Sequence, residues 1–519
     1  MEATVSSVLL SLALATLLTC AWKAVNWVWL RPRQLERCLR DQGFKGNPYR
    51  FLYGDYKEFA SAIKEARSKP PMESNDNDIV PRVIPFHQYF VNLHGTNYFA
   101  WLGPKPRLNI MDPKLIKEIL SNIDVFRKPA MNPLGKLLLT GVVVHEGEKW
   151  ATSRSLINPA FHLEKLKLMV PAMNSSCCEM ISKWEVLVST KGSCELDVWP
   201  DLCNLTADVI SRTAFGSDYD EGKQIFQLQK ELTDTVMPHL RSIYIPGWRF
   251  LPTKANRRMK KLYNEVGALV RNIVDKRQRT TNGEEGDNNL LGILLKSSLE
   301  TTDQEQGHKN IKLTVDDIIE ECRLFYLAGQ ETTSALLVWT MVLLSNHQKW
   351  QALAREEVLE VFGDSEPYFD GLHQLKTVTM ILNEVMRLYS PAALFVRNIH
   401  KNTKLGGFVL PAGTEIMVPI IAIQHDPEAW GEDSKYFKPE RFSEGIAKAT
   451  DGQGTFFPFG GGRRICIGAN YALVEAKIAL AMILKRFYFE LSPSYVHSPS
   501  LLLTVQPQHG AHLILQKIF

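Results

Sequence analysis

The segment FFPFGGGRRICIGANYALVEAKIAL, residues 456–480, places one cysteine, Cys466, between a glycine- and arginine-rich stretch and a run of helix-forming residues. A cysteine thiolate is a soft, electron-donating metal ligand. The N–H groups at the start of a helix near Ala469 would stabilise the negative charge of such a thiolate. A buried structural thiol and one half of a disulfide are the alternative interpretations.

The spacing around Cys466 is more specific than a lone cysteine. It completes the pattern F-x-x-G-x-R-x-C-x-G with Phe459, Gly462, Arg464 and Gly468. Glycines at these positions would let the backbone turn tightly and approach a flat macrocycle. Haem iron is one metal that proteins hold through a cysteine thiolate. The pattern therefore predicts that Cys466 is the axial ligand of haem iron.

A second polar cluster, LAGQETTS, interrupts a long apolar pattern and contains Ala328, Gly329, Glu331 and Thr332. Gly329 lowers the stability of a helix by about 1 kcal/mol relative to alanine. Polar residues beside such a glycine, inside a strong helical pattern, indicate a functional site. The alternative for Thr332 is an ordinary helical threonine bonded to the carbonyl four residues earlier.

Three further segments lie in a fixed order along the chain. WATSR contains Trp150 and Arg154, NEVMR contains Glu384 and Arg387 on one helical face, and KPERF contains Arg441. The Glu384–Arg387 pair alone would fit many solvated helices. The ordered set, together with the cysteine pattern, resembles the cytochrome P-450 monooxygenases, and the resemblance extends over essentially the whole chain.

The resemblance implies a fold and a cofactor. The expected fold is mainly α with a smaller β region, the haem-thiolate fold of that family, and Glu384, Arg387 and Arg441 would form its salt-bridged structural triad behind the haem. The cofactor would be haem b. Besides the cysteine, six residues would bind it, several through the propionates: Trp150, Arg154, Arg397, Phe459, Arg464 and Gly468.

The resemblance also implies that LAGQETTS is the oxygen-activation motif of the family. Cleavage of the O–O bond of dioxygen requires two protons. A hydroxyl at Thr332 would hold the water that delivers them, and an acid at Glu331 would relay them from solvent. Ala328 and the missing side chain of Gly329 would form a groove with room for dioxygen.

Other segments, among them QGFKGNPYRFLYGD and LLLTGVVVHEGEKW, look like the plant microsomal family that includes secologanin synthase and 7-deoxyloganic acid hydroxylase. Members of that family oxidise iridoids, triterpenoids, steroidal aglycones and gibberellins. They usually read F-S-x-G-P-R before the cysteine pattern, whereas this chain reads F-G-G-G-R-R at residues 459–464. The haem pattern itself is unaffected by this departure.

A long helix must position the LAGQETTS motif. The apolar pattern runs from Thr314 to about Ser345 without a proline, which corresponds to about 48 Å of helix. Thr314 can cap the first turn, and Asp316 and Asp317 lie near its positive end. A helix of this length is expected to cross the whole domain. NYFAWLG and RLNIMD, in contrast, have the two-residue period of strands.

The N-terminal segment predicts a membrane anchor. Residues 3–22 carry no charge and would form a helix of about 30 Å, the thickness of the hydrocarbon core of a bilayer. Basic residues follow the segment, which favours a cytoplasmic location for the rest of the chain; a cleaved signal peptide is the alternative. We predict an anchor and its flank at 1–30, a catalytic haem domain at 31–519, and a single pass through the endoplasmic reticulum membrane.

Composition excludes several other classes of protein. A net charge of +4 over 519 residues does not indicate nucleic-acid binding. The eight cysteines include no CxxC pair, so neither a disulfide framework nor a zinc site is expected. Polar stretches within residues 276–310 are expected to be surface loops.

The function implied by the resemblance is oxidation of a lipophilic plant terpenoid of the triterpenoid, steroidal, iridoid or gibberellin type. Dioxygen would be one substrate, and NADPH would supply electrons through cytochrome P-450 reductase. A reductase-independent haem isomerase and a non-catalytic haem-binding membrane protein are the alternatives.

Several apolar residues are candidates for the substrate pocket, with core packing as the alternative: Phe325, Ala392, Leu394, Phe395 and Val396. The loop at residues 243–250, with Trp248 and Phe250, is expected to dip into the membrane, with ordinary core burial as the alternative. Arg241, just before it, is a candidate to bind a substrate carboxylate, with a solvated arginine as the alternative.

Overall fold

The computed structural model describes residues 2–189, 192–217, 219–240, 244–245, 247–280, 289–299 and 313–518. Helices form most of this structure, with four small sheets beside them. The mainly α fold with a smaller β region is therefore confirmed. Arg241 and the polar residues 281–288 and 300–310 lie outside the described residues.

The helices are, in chain order, α1 (Glu2–Val25), α2 (Arg31–Arg40), α3 (Tyr56–Ser68), α4 (Val80–Val83), α5 (Pro85–His94), α6 (Pro113–Ser121), α7 (Gly147–Ile157), α8 (Leu163–Ser189), α9 (Val198–Ile210), α10 (Tyr219–Leu240), α11 (Lys254–Thr280), α12 (Leu290–Leu299), α13 (Val315–Asn346), α14 (Gln348–Phe362), α15 (Phe369–Leu372), α16 (Lys376–Leu388), α17 (Ile420–Gln424), α18 (Pro427–Trp430), α19 (Ile446–Ala449) and α20 (Ala469–Arg486). Short 3₁₀ turns occupy Gly135–Leu137, Gly141–Val143, Asn158–Phe161, Trp248–Phe250, Pro439–Phe442 and Gly462–Arg464, and π-helical turns occupy Asn26–Leu30 and Ser211–Phe215.

The strands are β1 (Phe99–Leu102), β2 (Lys105–Asn109), β3 (Phe126–Arg127), β4 (Ser193–Asp197), β5 (Phe395–Ile399), β6 (Thr403–Leu405), β7 (Phe408–Leu410), β8 (Glu415–Val418), β9 (Phe487–Leu491), β10 (Pro499–Leu501), β11 (Val505–Pro507) and β12 (His512–Lys517). The largest sheet has the order β1-β2-β8-β5-β3, in which the β2–β8 pair is parallel and the other pairs are antiparallel. A three-stranded sheet has the order β4-β12-β9, and β6–β7 and β10–β11 are hairpins. The two strands expected from NYFAWLG and RLNIMD are β1 and β2.

Helix α13 forms the centre of the domain. Its residues 318–327 and 333–345 are buried apart from the half-buried Glu320, since α9, α16 and α20 pack around it. A helix packed on several sides is apolar around its circumference. Thr314 caps it as predicted: its hydroxyl accepts from Asp317 N–H at 3.1 Å, and its own N–H donates to Asp317 Oδ2 at 3.0 Å.

The loop at residues 128–146, between β3 and α7, is tied to α13. The N–H of Val142 donates to Glu321 Oε2 at 2.9 Å, and the Thr140 hydroxyl donates to the Glu320 carbonyl at 2.9 Å. Gly141 has φ of 61°, and a Cβ there would collide with the Glu321 carboxylate. Burial raises the pKa of Glu321 to about 7. A glycine is therefore required where the 128–146 loop crosses α13.

The N-terminal helix differs from α13 in its surroundings. The helical segment 9–40 is long and apolar enough to cross a membrane. None of its most apolar part is buried inside the protein. The second such segment is α13, which is largely buried and so is a core helix. The anchor flank contacts the remainder of the chain: the Trp29 ring lies 6.4 Å from Tyr49 and 6.1 Å from Phe51.

Part of the segment 276–310, in which surface loops were expected, is helical. Residues 276–280 continue helix α11, and α12 lies between the two polar stretches. Arg277 and Arg279 lie in the last turn of α11, where positive charge interacts favourably with the negative end of the helix.

Thr314→Ala should destabilise the fold by about 1 kcal/mol, because the first turn of α13 loses its capping hydroxyl. Thermal unfolding of the detergent-solubilised protein measures the effect. Thr235→Ala is the matched control, since Thr235 lies inside α10, where its hydroxyl donates to the carbonyl of Glu231 and caps no helix. Equal melting temperatures for the two variants would contradict the capping role.

Candidate active site

The loop that carries Cys466 is held by its own backbone and by α6. The Cys466 N–H donates to the Phe459 carbonyl at 2.9 Å. Gly462 has φ of 63°, and a Cβ there would collide with the carbonyl of Leu120. Gly462 therefore serves the packing of this loop against α6. A Cβ at Gly468, in contrast, would meet no atom of the described chain within 4 Å, so protein packing alone does not require that glycine.

Cys466 is accessible although protein lies closely around it. Its side chain is exposed, yet protein surrounds it closely enough that burial raises the pKa of its thiol. The Gly468 N–H and the positive charge of Arg154 oppose this rise in pKa. A metal that binds here would displace the thiol proton, because the thiolate is the ligand.

Arg464 lies beside this loop in a nearly closed environment, with 3% of its side chain exposed. Its Nη2 lies 2.8 Å from Glu146 Oε1, and its Nη1 donates to the His145 carbonyl at 3.1 Å. The guanidinium lies over the Trp150 ring at 4.4 Å. Its buried Nε has no hydrogen-bond partner among the described residues. The predicted Trp150 and Arg464 therefore meet directly.

Two more cations lie close to Arg464. Arg397 donates to the Val396 carbonyl at 2.9 Å, and burial together with the charge of Arg464 lowers its pKa to about 10. The Lys128 amine donates to the Val143 carbonyl. Burial, Arg464 and Arg397 lower the pKa of Lys128 to about 7. The lowered pKa values indicate that the region around Arg397 and Lys128 holds too few anions to balance its positive charges.

Arg154 completes this group, which we call the cation cluster: Lys128, Arg154, Arg397 and Arg464. Arg154 Nε donates to Asn158 Oδ1 at 2.9 Å, and its Nη1 donates to the Ile465 carbonyl, beside Cys466, at 2.8 Å. Sequence reasoning identified the three arginines but missed Lys128 and Glu146. Lys128 precedes Pro129 just after β3, and a single Lys-Pro pair has no diagnostic value.

The cluster fits the haem that the sequence predicts. In the described part of the chain, Glu146 is the only carboxylate within ion-pairing distance of the cation cluster, and it pairs with Arg464. Buried cations without anions are costly, and a buried donor without an acceptor, such as Arg464 Nε, is rare. The two propionates of haem b would supply both the charge and the acceptors, and Cys466 would supply the ligand to iron.

The predicted triad of Glu384, Arg387 and Arg441 is present, and Asp433 joins it. Arg387 Nε and Nη2 donate to the two oxygens of Glu384, both at 2.8 Å, and both side chains are fully buried. Arg441 Nε lies 3.5 Å from Glu384 Oε1, whereas its Nη2 lies 2.6 Å from Asp433 Oδ1. The stronger ion pair of Arg441 is therefore with Asp433, which sequence reasoning did not identify.

The LAGQETTS motif lies at the one exposed region in the middle of α13. Ala328 and Thr332, four residues apart on one face, are exposed although the flanking residues are buried. The Thr332 hydroxyl donates to the Ala328 carbonyl at 2.8 Å, the geometry of an ordinary helical threonine. Its lone pairs stay available to accept a hydrogen bond.

Glu331 is enclosed beside this face. Burial raises the pKa of its carboxyl group. Thr504, in the turn of the β10–β11 hairpin, donates to Glu331 Oε2 at 3.4 Å and opposes that rise. No sequence signal pointed to Thr504.

Gly329 requires a correction. A Cβ at this position would lie 2.9 Å from Cγ1 and 3.0 Å from Cδ1 of Ile210 in α9. The missing side chain therefore allows close packing of α9 against α13, and the space it leaves is filled by Ile210. The prediction that the missing side chain of Gly329 leaves room for dioxygen is therefore wrong. Of Ala328 and Gly329, only Ala328 is exposed.

The substrate-pocket candidates separate in the structure. Phe325 is buried and stacks on Phe161, with ring centroids 5.4 Å apart. Ala392 is exposed, Phe395 lies under the Arg397 guanidinium at 4.7 Å, and the half-buried Val396 accepts from Arg397. Leu394 lines a cavity of about 310 Å³. Of these residues, Leu394 has the clearest pocket position.

The described part of the 243–250 loop places Trp248 and Phe250 in different surroundings. The Trp248 ring lies 5.0 Å from His239 and packs against a small apolar cluster. Ile245 and Phe250 are exposed, at 64% and 75%. Trp248 therefore faces inward, and Ile245 and Phe250 present apolar surface outward.

Comparison with known proteins agrees with this architecture, which is that of a haem-thiolate protein. The cytochrome P-450 family model matches residues 83–514. Cytochrome P-450 CYP72A219 of Panax ginseng is 54% identical over 508 residues, covering 98% of each chain. The 7-deoxyloganic acid hydroxylase of Catharanthus roseus is 49% identical over 523 residues, covering 100% of each chain. Retinoic acid bound cyanobacterial CYP120A1 has the same fold, with a TM-score of 0.75 at 21% identity over 91% of this chain and 98% of the other.

The chain belongs to the cytochrome P-450 family, within the plant group represented by these relatives. It is therefore a monooxygenase with a haem cofactor, a small-molecule substrate, dioxygen and a redox partner.

Lys128→Met should weaken haem binding by roughly 10-fold or more, since a charged hydrogen bond contributes about 1.5–3 kcal/mol. The rate of haem transfer to apomyoglobin measures this loss. Lys136→Met is the matched control, because Lys136 is an exposed lysine of the same 128–146 loop. Equal transfer rates for the two variants would exclude Lys128 from the haem site.

Gly329→Ala should destabilise the protein by about 1–3 kcal/mol, because the new methyl group overpacks the α9–α13 contact. Ile210→Ala in the same chain should relieve the collision, so that the double variant melts close to Ile210→Ala alone. If Gly329→Ala costs as much stability in the Ile210→Ala background as in the wild-type chain, the packing role is contradicted.

Proposed function

We propose that this enzyme hydroxylates, or oxidises further, a lipophilic plant terpenoid with electrons that NADPH supplies through cytochrome P-450 reductase. The observation that carries the proposal is the placement of an accessible Cys466 beside the cation cluster, whose Arg154 bonds to the neighbouring Ile465 carbonyl. The relative named 7-deoxyloganic acid hydroxylase and the apolar walls around Leu394 support the substrate class.

In this proposal Cys466 is the axial ligand, and Trp150, Arg154, Arg397 and Arg464 orient the cofactor through its propionates. Phe459 fixes the ligand loop by accepting the Cys466 N–H. Gly468 keeps the backbone free of a side chain beside the ligand. Haem held in this way supplies the binding and reductive activation of dioxygen.

The residues of α13 manage protons. A raised pKa keeps the Glu331 carboxyl group protonated over a wider pH range, so that it can donate. Thr504 orients this carboxyl group, and Thr332 can accept a hydrogen bond from a water molecule while its own proton points to Ala328. The exposed face of Ala328 and Thr332 is where water and substrate would meet.

The chain is proposed to consist of an anchor at 1–30 and a catalytic haem domain at 31–519. The anchor would place it in the endoplasmic reticulum membrane, with the catalytic domain in the cytoplasm. The outward-facing Ile245 and Phe250 are the residues of the 243–250 loop that would enter the lipid.

The reduced, carbon-monoxide-bound difference spectrum of the full-length protein tests the ligand assignment. We expect a strongly red-shifted Soret band, because a thiolate donates electron density to the iron, and its loss in Cys466→Ser. Cys38→Ser, at a half-buried cysteine far along the chain, should keep the band. A haem-replete protein without the band would refute the assignment.

Turnover of terpenoids with and without reductase separates the remaining alternatives. Oxidised product that requires both NADPH and reductase supports the monooxygenase. Product without reductase would indicate a rearranging enzyme, and haem binding without any product would indicate a binding protein.

A further inference from the structure

A cavity of about 310 Å³ lies among α3, α4, α5, the β1–β2 hairpin, the end of α10 and the β10–β11 hairpin. Its walls are mostly apolar and include Phe59, Ile63, Leu240, Leu394 and Leu501. The volume is near the lower end of the range for small-molecule pockets, roughly 300–1,000 Å³. It can therefore hold one end of a terpenoid skeleton.

The charged residues of this wall are all positive. Arg67, Arg82 and Arg107 line the cavity, and its lining within the described chain contains no aspartate or glutamate. Arg107 is neutralised by the buried Glu415, whose Oε2 lies 2.7 Å from Arg107 Nη2 and 3.0 Å from its Nε. Arg67 and Arg82 have no such carboxylate partner among the described residues.

Arg82 has neutral partners in the described structure. Its guanidinium donates to the carbonyls of Pro70 at 2.7 Å and Lys69 at 3.2 Å, and to the Ser498 hydroxyl at 2.9 Å. Its buried Nε has no acceptor there, and burial lowers its pKa. Arg67 is exposed. Among the described residues neither arginine lies within ion-pairing distance of a carboxylate, so the cavity carries two uncompensated positive charges.

The same cavity is connected to the oxygen motif by one short segment. Leu501 and Leu502 form part of its wall, and the Leu502 N–H donates to the Thr504 carbonyl at 3.2 Å. The Thr504 hydroxyl in turn bonds to Glu331. The β10–β11 hairpin therefore contributes both to the wall of the cavity and to the hydrogen bond that Glu331 accepts.

We propose that Arg82 and Arg67 bind the carboxylate of an amphipathic substrate, so that the preferred terpenoids are lipophilic carboxylic acids. This inference rests on the proposed function and defines its substrate class. A guanidinium in a partly apolar wall binds a carboxylate more strongly than it binds water, since both charges are partly desolvated. An ester or alcohol of the same skeleton would leave the arginine charges uncompensated.

Equilibrium dialysis of the full-length protein tests the inference with a panel of iridoid, diterpenoid and triterpenoid carboxylic acids, each paired with its methyl ester. The wild-type protein should bind at least one acid about 10-fold or more tightly than its ester. Arg82→Met and Arg67→Met should each reduce that ratio severalfold and leave ester binding unchanged. Arg67→Met keeps the test valid if Arg82→Met unfolds, because Arg67 is exposed.

Lys64→Met is the matched control, since Lys64 is an exposed cation of α3 outside the cavity lining. It should keep the wild-type ratio. A wild-type protein that binds no acid better than its ester, or arginine variants that keep the wild-type ratio, would overturn the inference. Dialysis does not depend on the haem spectrum, so failure of the monooxygenase proposal would be seen separately in the carbon-monoxide spectrum and in turnover.

Discussion

The excess of positive charge beside Cys466 is the constraint on which the rest of the site depends. Four segments that are distant in sequence contribute Lys128, Arg154, Arg397 and Arg464, and Glu146 is the one nearby carboxylate within ion-pairing distance in the described structure. Like charges brought together in a poorly solvated region repel each other, so this arrangement is favourable only with an anionic partner. A dianionic cofactor would therefore contribute to the stability of the domain core as well as to its chemistry.

Helix α13 connects the 128–146 loop with the LAGQETTS motif. It begins at a capping box, carries Glu321 under the 128–146 loop, packs at Gly329 on α9 and leaves Ala328 and Thr332 exposed. The β10–β11 hairpin then joins Glu331 to the arginine-lined cavity. One continuous helix thus sets the relative positions of the 128–146 loop, the exposed motif and the hairpin.

The sequence was sufficient wherever the signal was local. The cysteine pattern, the Glu384–Arg387 pair and the capped helix at Thr314 each lie within one short segment, and the structure contains all three features. Thr504 and Glu331, 173 residues apart, meet only through the tertiary fold. The ion pair of Arg441 with Asp433 lies outside the KPERF pattern that predicted the triad. The inward orientation of Trp248 depends on packing against residues outside the 243–250 loop. Gly329 was misread because a glycine in a helix indicates close contact without showing which neighbour makes that contact.

The contact between Gly141 and Glu321 has a consequence for exchanging parts among related enzymes. The 128–146 loop carries Lys128 of the cation cluster, and its backbone also supplies the N–H that hydrogen-bonds the Glu321 carboxyl group of α13. A loop transplanted from a relative without glycine at this position would collide with that carboxylate, and one without the matching N–H would leave it buried and unsolvated. Chimeric enzymes should therefore inherit the loop and the N-terminal half of α13 from the same parent.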